Sequence, residues 1–339
     1  MVKRKLAIFI SVALIPLVAA PTYAASSKVK IGIVYDVGGR GDKSYDDAAA
    51  IGVDAAKKKF GLSDFDVREL VTSGSDFDRE NRIEFLVKAK YDLVIGIGPN
   101  FATAMTFMAD KYPESQFAIV GSSDVESINV SSMAFSASES AFLAGVLAAT
   151  NTKSRKVGFF GDTSNTFNDL ALRNFRAGVK YVSAKVEVFP RNPSVTAEAD
   201  VSAISGAGVD VLFDVWSRNG KVVNAISKLA TNSGKRKKTI KLIGLRPDQY
   251  FLATKGAQKV LIGYVNQRYD NAVIDLFKAA VAGNTITEEV SVKNGVFGRN
   301  FNLSNRGIDL VATTANQASK GVLARAKAAI LAKKIKVVK

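Results

Sequence analysis

Asp36, Tyr45 and Asn100 are the first residues of this 339-residue chain whose types and places suit capture of a small molecule. Asp36 follows the apolar run Ile31-Gly-Ile-Val-Tyr35 and opens a glycine-rich turn that leads to Tyr45. An ionised carboxylate only accepts hydrogen bonds, so Asp36 could take a ligand hydroxyl or ring N–H, or instead cap its own turn. Tyr45 would stand beside it, as a wall of the site or as a helix-packing ring. Gly98, Pro99 and Asn100 end a third apolar run on the same rim, where Asn100 could bond a ligand or cap the next helix. Absences narrow the chemistry further. The chain has no histidine and no cysteine, which removes imidazole bases, Ser-His-Asp triads, histidine metal sites and disulfide partners. No Gly-x-Ser-x-Gly elbow or P-loop occurs either. Catalytic residues, metal ligands and cofactors are therefore not expected.

These residues need strand ends to hold them, and the apolar patterning provides them. Strands are expected at Val29 to Tyr35, Asp66 to Leu70, Leu93 to Ile97, Phe117 to Val120 and Ser132 to Phe135. Helical patterns at 45–60, 78–90, 100–111 and 139–150 alternate with them. A second series follows, with strands at Val157 to Phe160, Lys185 to Phe189, Val211 to Val215, Ile240 to Ile243 and Val260 to Val265. Its helices fall near 167–182, 197–206, 220–231 and 316–333. Short apolar runs bounded by turns suit interior parallel strands, and open α/β sheets bind ligands at the carboxyl ends of such strands. Ser44 is expected to cap the helix from Tyr45, with Asp46 and Asp47 in its first turn and Lys57 to Lys59 in its last. Ser136-Ala-Ser-Glu139 reads as a capping box. Gly145, in a face with Phe142, Leu143, Val146 and Leu147, permits close backbone approach.

The amino terminus reads as a targeting segment. Lys3, Arg4 and Lys5 precede an apolar run from Leu6 to Ala20, and Thr22-Tyr-Ala24 offers small residues for cleavage. This is the pattern of a signal peptide over residues 1–24, too short in its apolar part for a membrane span. With no cysteine to carry a lipid, the expectation is an exported protein, periplasmic or extracellular, not lipid-anchored through cysteine. The formal charge is +16, of which Lys3, Arg4 and Lys5 supply three. No basic motif interleaved with aromatic residues accompanies it. The Lys235-Arg-Lys-Lys238 run reads as a solvated loop, and nucleic acid is not an expected partner.

The stretch Asp36-Val-Gly-Gly-Arg-Gly-Asp42-Lys43-Ser44-Tyr45 resembles the signature of basic membrane protein (BMP) substrate-binding proteins, the PnrA-like purine nucleoside receptors of ABC importers. That pattern runs Asp-x-Gly-Gly-x-x-Asp-Lys-Ser-Phe-Asn. Three more segments follow in the family's order: Tyr112-Pro to Phe117-Ala-Ile-Val, Ser138-Glu-Ser-Ala-Phe-Leu-Ala-Gly145, and Ile243-Gly-Leu-Arg-Pro-Asp-Gln249. The resemblance implies an α/β fold of the type I periplasmic-binding-protein kind, two Rossmann-like lobes with a ligand cleft between them. The chain would cross between lobes near Phe135–Glu139, Gln267–Asp270 and Val290–Gly295. The amino-terminal lobe would then hold 28–137 plus about 268–292, and the carboxyl-terminal lobe about 138–267 plus 293–339.

Family members clamp a purine between two aromatic rings and fix ribose with acidic side chains. By resemblance Tyr45 is the first ring, Trp216 could face it from the second lobe, and Asp36 is the strand-end acid. Three positions depart from the pattern. Gly121 and Arg246 stand where the family has aspartate, and Gln267 where it has lysine. Guanidinium suits a carboxylate or phosphate, which points to an anionic relative of a nucleoside. Arg246 could instead turn outward or pair with Asp248. The resulting expectation is a monomeric solute-binding protein that hands a nucleoside-like or anionic ligand to an ABC importer permease. A ligand-sensing receptor without transport is the alternative, and an enzyme is the third reading.

Overall fold

The strand β1 (Ile31–Tyr35) is buried along its whole length, as an unbroken apolar run in a sheet covered on both faces must be. In the computed structural model, which describes residues 28–216, 220–232, 239–291, 295–313 and 317–338, it is an inner strand of a parallel sheet. The expected leader 1–24, Arg218 and the Lys235–Lys238 run lie outside the described residues. From β1 the chain continues through α1 (Tyr45–Phe60), β2 (Val67–Val71), α2 (Asp76–Lys88), β3 (Leu93–Ile97), α3 (Ala102–Lys111), β4 (Gln116–Val120) and β5 (Val130–Phe135). A second α/β series comprises α4 (Ala137–Asn151), β6 (Lys156–Phe160), α5 (Thr166–Val182), β7 (Glu187–Arg191), α6 (Ala197–Gly206), β8 (Val211–Asp214), α7 (Lys221–Asn232) and β9 (Lys241–Gly244). Two short helices, α8 (Asp248–Phe251) and α9 (Lys255–Gln258), lead to β10 (Leu261–Gln267).

The remaining elements are α10 (Tyr269–Val281), β11 (Glu288–Ser291), β12 (Val296–Phe301), β13 (Ile308–Ala312) and α11 (Gln317–Leu331). Among the described residues the strands form two sheets, ordered β11-β12-β5-β4-β3-β1-β2 and β13-β10-β9-β8-β6-β7. All neighbours are parallel except β11 with β12 and β10 with β13. Two mostly parallel sheets, each covered by its own helices, make two Rossmann-like lobes. Among the described residues no helix is long and apolar enough to cross a membrane.

The chain leaves the first sheet after β5, and α4 packs on α5 and α11 of the second unit. It returns after β10, where α10 packs on α1. The third boundary differs from the expected one near 290–295. β12 pairs in parallel with β5, from Gly298 opposite Ser132 to Phe301 opposite Phe135, so residues 296–301 complete the first sheet. The chain passes to the second sheet only between Phe301 and Ile308. The partition at 292/293 therefore moves to the 302–307 segment.

Two helix ends depart from their expected caps. Ser44 is at the N-cap of α1 but makes no capping bond. Asp42 does that work, accepting the N–H groups of Ser44 at 2.7 Å, Asp47 at 3.0 Å and Asp46 at 3.1 Å. At α4, Ser136 Oγ accepts the Glu139 N–H at 3.3 Å, half of a capping box. The Glu139 carboxylate accepts the Leu303 N–H at 2.8 Å, which ties α4 to the third crossing segment.

Candidate functional site

Residues from the carboxyl ends of both sheets line one cleft of about 900 Å³, a size that suits a drug-sized ligand. Its first-lobe wall is a column of rings. Tyr45, at the start of α1, lies flat on Tyr269, with centroids 4.5 Å apart and planes at 4°. Tyr269 in turn stacks on Phe135 at 4.9 Å, and Phe135 leans on Phe301 at 5.3 Å. The glycine loop that delivers Tyr45 is held firmly. Arg40 makes paired bonds to Asp54 at 2.8 and 2.9 Å and to Glu69 at 2.8 and 3.0 Å. Asp47 accepts the N–H groups of Gly41 and Lys43 at 2.5 and 3.0 Å.

The second-lobe wall hangs on one buried carboxylate. Asp214, at the end of β8, accepts the Trp216 N–H at 3.0 Å on one oxygen and Gln249 Nε2 at 3.0 Å on the other. Gln249 Oε1 accepts the Arg246 N–H at 3.0 Å. This chain of bonds fixes the loops after β8 and β9, and with them Trp216 and Arg246. The Trp216 residue is 50 % exposed and lines the cleft, as do Lys221 at the start of α7 and Phe167 at the start of α5. Arg246 Nε sits 3.2 Å from Asp248 Oδ1, and that same oxygen accepts the Ser44 hydroxyl at 3.0 Å across the cleft. The Ser44 side chain, expected to cap a helix, thus links the two lobes.

Of the six residues expected to bind ligand, Tyr45, Trp216, Arg246 and Gln267 line the cleft. Asp36 and Asn100 are not among the lining residues and are bonded to each other instead. Asn100 Nδ2 donates to Asp36 Oδ2 at 2.5 Å, and Arg79 donates to Asp36 Oδ1 at 2.9 Å. Burial alone would raise the Asp36 pKa, but these bonds outweigh it and hold the carboxyl below its usual range. Tyr45 and Trp216 both line the cleft. One face of Tyr45 is covered by Tyr269, a ring of the protein itself. Arg246 takes the paired alternative, with Asp248 as partner, while still lining the cleft.

The sequence reading did not single out Tyr269, named Asp248 only as a possible partner of Arg246, and read Asp46 only as a first-turn helix charge. Asp46 is 2 % exposed, and its Oδ2 has no hydrogen-bond partner among the described residues. Burial, with the charge of Asp42 beside it, pushes its pKa up to about 8. The family pattern has asparagine at this position, and that difference was the available signal. Tyr269 is fully buried, which together with Tyr45 and Asp46 raises its phenol well above the ordinary value. Among the described residues there is no cluster of three or more acidic side chains fit to hold a metal ion.

Residues 28–296 match the family model described as ABC transporter substrate-binding protein PnrA-like. The chain belongs to that family. The PnrA-like proteins are solute receptors rather than enzymes. A Listeria monocytogenes relative named CD4+ T-cell-stimulating antigen is 30% identical over 77% of this chain and 76% of its own. A Lactococcus lactis relative named ABC transporter nucleoside-binding protein BmpA is 27% identical over 91% of this chain and 89% of its own. In fold, an ABC transporter solute-binding protein from Conexibacter woesei superposes with a TM-score of 0.67 at 16% identity, covering 91% of this chain and 98% of that one.

The relatives overturn the expected localisation. A Pyrococcus abyssi relative is 36% identical over 38% of this chain and 31% of its own, and is named an uncharacterized lipoprotein. Relatives from Pyrococcus horikoshii and Pyrococcus furiosus carry the same description. Membrane anchoring through a lipidated cysteine is what these relatives suggest, and the expectation of a free exported protein is withdrawn. The lack of cysteine in these 339 residues limits the chemistry within them and says nothing of segments beyond them.

Proposed function

We propose that the protein captures a small planar ligand carrying an anionic group and delivers it to the permease of an ABC importer. The observation that carries this reading is Arg246 in the wall of an aromatic cleft. Trp216 offers a half-exposed ring for a flat base, and stacking of that kind contributes about 1–3 kcal/mol per base. Asp248 pairs with Arg246 and stabilises its charge in the cleft wall. Lys221 adds a second cation to the lining. Asp36 is engaged by Arg79 and Asn100, which leaves Asp124 and Asp200 as the carboxylates on the lining. The nucleoside-binding name of the Lactococcus relative supports a nucleoside-like body for the ligand.

Calorimetric titration of inosine, guanosine and their 5′-monophosphates into the parent and Arg246→Asp tests the ligand class. The parent is expected to favour the monophosphates by about tenfold or more, the scale of one charge-assisted hydrogen bond. Arg246→Asp should remove or reverse that preference. Tight nucleoside binding by the parent, unchanged in the variant, would return the site to a neutral nucleoside. Delivery is read separately, from ligand-dependent stimulation of the reconstituted importer's ATPase. A loaded protein that gives no stimulation is a sensor rather than a transport receptor.

A further inference from the structure

The geometry points to Tyr269 as a specificity-determining residue, whose phenolic O–H donates into the cleft to an acceptor atom of the bound ligand through space that Gly121 leaves open. The inference rests on the cleft being the ligand site.

Gly121 directly follows β4, with a φ of +104° that L side chains rarely adopt. A Cβ at this position would lie 2.0 Å from Tyr269 Oη and 2.8 Å from Cζ. No side chain can stand at 121 while Tyr269 keeps its place. Both residues line the cleft, one from the end of β4 and one from the start of α10.

The ring of Tyr269 is clamped on both faces, by Tyr45 at 4.5 Å and Phe135 at 4.9 Å. Its hydroxyl is therefore fixed in position before any ligand arrives, which spares the ordering entropy of a mobile donor. Buried tyrosine hydroxyls usually find a hydrogen-bond partner. Among the described residues no partner stands at Tyr269 Oη, which lies beside the cleft-lining Gly121. That place borders the cleft, where a ligand atom can supply the acceptor.

The electrostatic surroundings keep the proton on that oxygen. Burial and the neighbouring Tyr45, Asp46 and Asp42 all hold the phenol protonated, against the opposing pull of Arg246. A phenol donates as well as accepts, whereas a carboxylate only accepts. Tyr269 joins Arg246 and Lys221 as donors on a lining that also carries the carboxylates Asp124 and Asp200. The Tyr269 donor favours a ligand that turns an acceptor toward Gly121, such as a base carbonyl, a carboxylate or a phosphoryl oxygen.

The test uses Tyr269→Phe, which deletes one oxygen and retains the stacked ring. Inosine, guanosine and their 5′-monophosphates are titrated by calorimetry into parent and variant, with thermal melts in parallel. For the tightest-binding probe, Tyr269→Phe is expected to lose about tenfold in affinity, equivalent to about 1.4 kcal/mol, while its melting temperature stays near that of the parent. Gly121→Ala, whose added methyl displaces the Tyr269 hydroxyl, should lose affinity for the same probe while keeping the parent's circular dichroism. If Tyr269→Phe binds that probe within about twofold of the parent, Tyr269 is a packing ring, and the inference falls while the cleft reading stands. If none of the four probes binds the parent, the nucleoside-like cleft reading falls and takes this inference with it.

Discussion

Asp46 is the residue whose environment most opposes its charge. Its ordinary pKa of 3.8 is pushed up to about 8 by burial and by Asp42. Between those values the folded protein holds a proton that the unfolded chain has released. The resulting stability is fully present below the unfolded pKa and is lost as pH rises through the folded one, with a slope of at most about 1.4 kcal/mol per pH unit. Asp46→Asn keeps the shape and removes the titration. The variant's melting temperature should fall less than the parent's between about pH 5 and pH 8, a window inside the two pKa values. Equal slopes for the two proteins would show that Asp46 is charged in the fold. Asp36 has the opposite sign, because its bonds to Arg79 and Asn100 lower its pKa, and its contribution is lost in acid. At this scale the sequence disclosed part of the site. Tyr45 could be placed because it opens a helix, whereas Trp216, Arg246 and Gln267 owed their places to the family resemblance. Asp36 follows a strand, yet its partner Arg79 comes from α2, a tertiary pairing with no local signature. Tyr269 was hidden for a related reason, since its helix had not been foreseen.

Among the elements, the α4–α5 pair shows how closely two helices can approach. A Cβ at Gly145 would lie 2.2 Å from the Phe175 carbonyl oxygen, and one at Gly178 would lie 2.0 Å from that of Phe142. Both obstacles are backbone atoms, which cannot rotate aside. Gly178→Ala should therefore force the helices apart and destabilise the protein by about 1–3 kcal/mol, the usual cost of overpacking. Urea unfolding of parent and variant measures this, and equal stability would mean that the crossing is looser than it is drawn. Gly145 was legible in advance as a small residue within an apolar helical face. The region from 269 to 312 was not. α10 starts two residues after β10 ends, with Arg268 at its N-cap and no capping side chain to mark the start. β11 has one apolar residue among four and is an edge strand, and β12 breaks its apolar residues with Gly298, Arg299 and Asn300, so neither is buried along its whole length. The misplaced third crossing follows from those unrecognised strands.

At the scale of the whole molecule, the lobes are joined by more than their connecting segments. The Ser44 hydroxyl reaches Asp248, and Asp248 also holds Arg246, so one carboxylate serves both the contact between lobes and the cleft's cation. A hydrogen bond to a charged group contributes about 1.5–3 kcal/mol, enough to bias an opening equilibrium. Ser44→Ala should widen the ligand-free protein, seen as a larger radius of gyration in small-angle X-ray scattering. Unchanged scattering would show that the bond follows closure rather than favouring it.

The order of strands in the first sheet has a further consequence for how the protein is made. β5 is bordered on one side by β4, its near neighbour in the chain, and on the other by β12, which begins at Val296. During synthesis the ribosome releases β1 to β5 early, while β12 emerges only after the second lobe's β6 to β10. Through that interval the nascent amino-terminal lobe presents the backbone of β5 as an open edge, the kind of surface on which chains associate wrongly. Vectorial production therefore leaves the lobe begun first unsealed until β6 to β10 of the second lobe have been made, and timely closure of that edge depends on the β11–β12 pair.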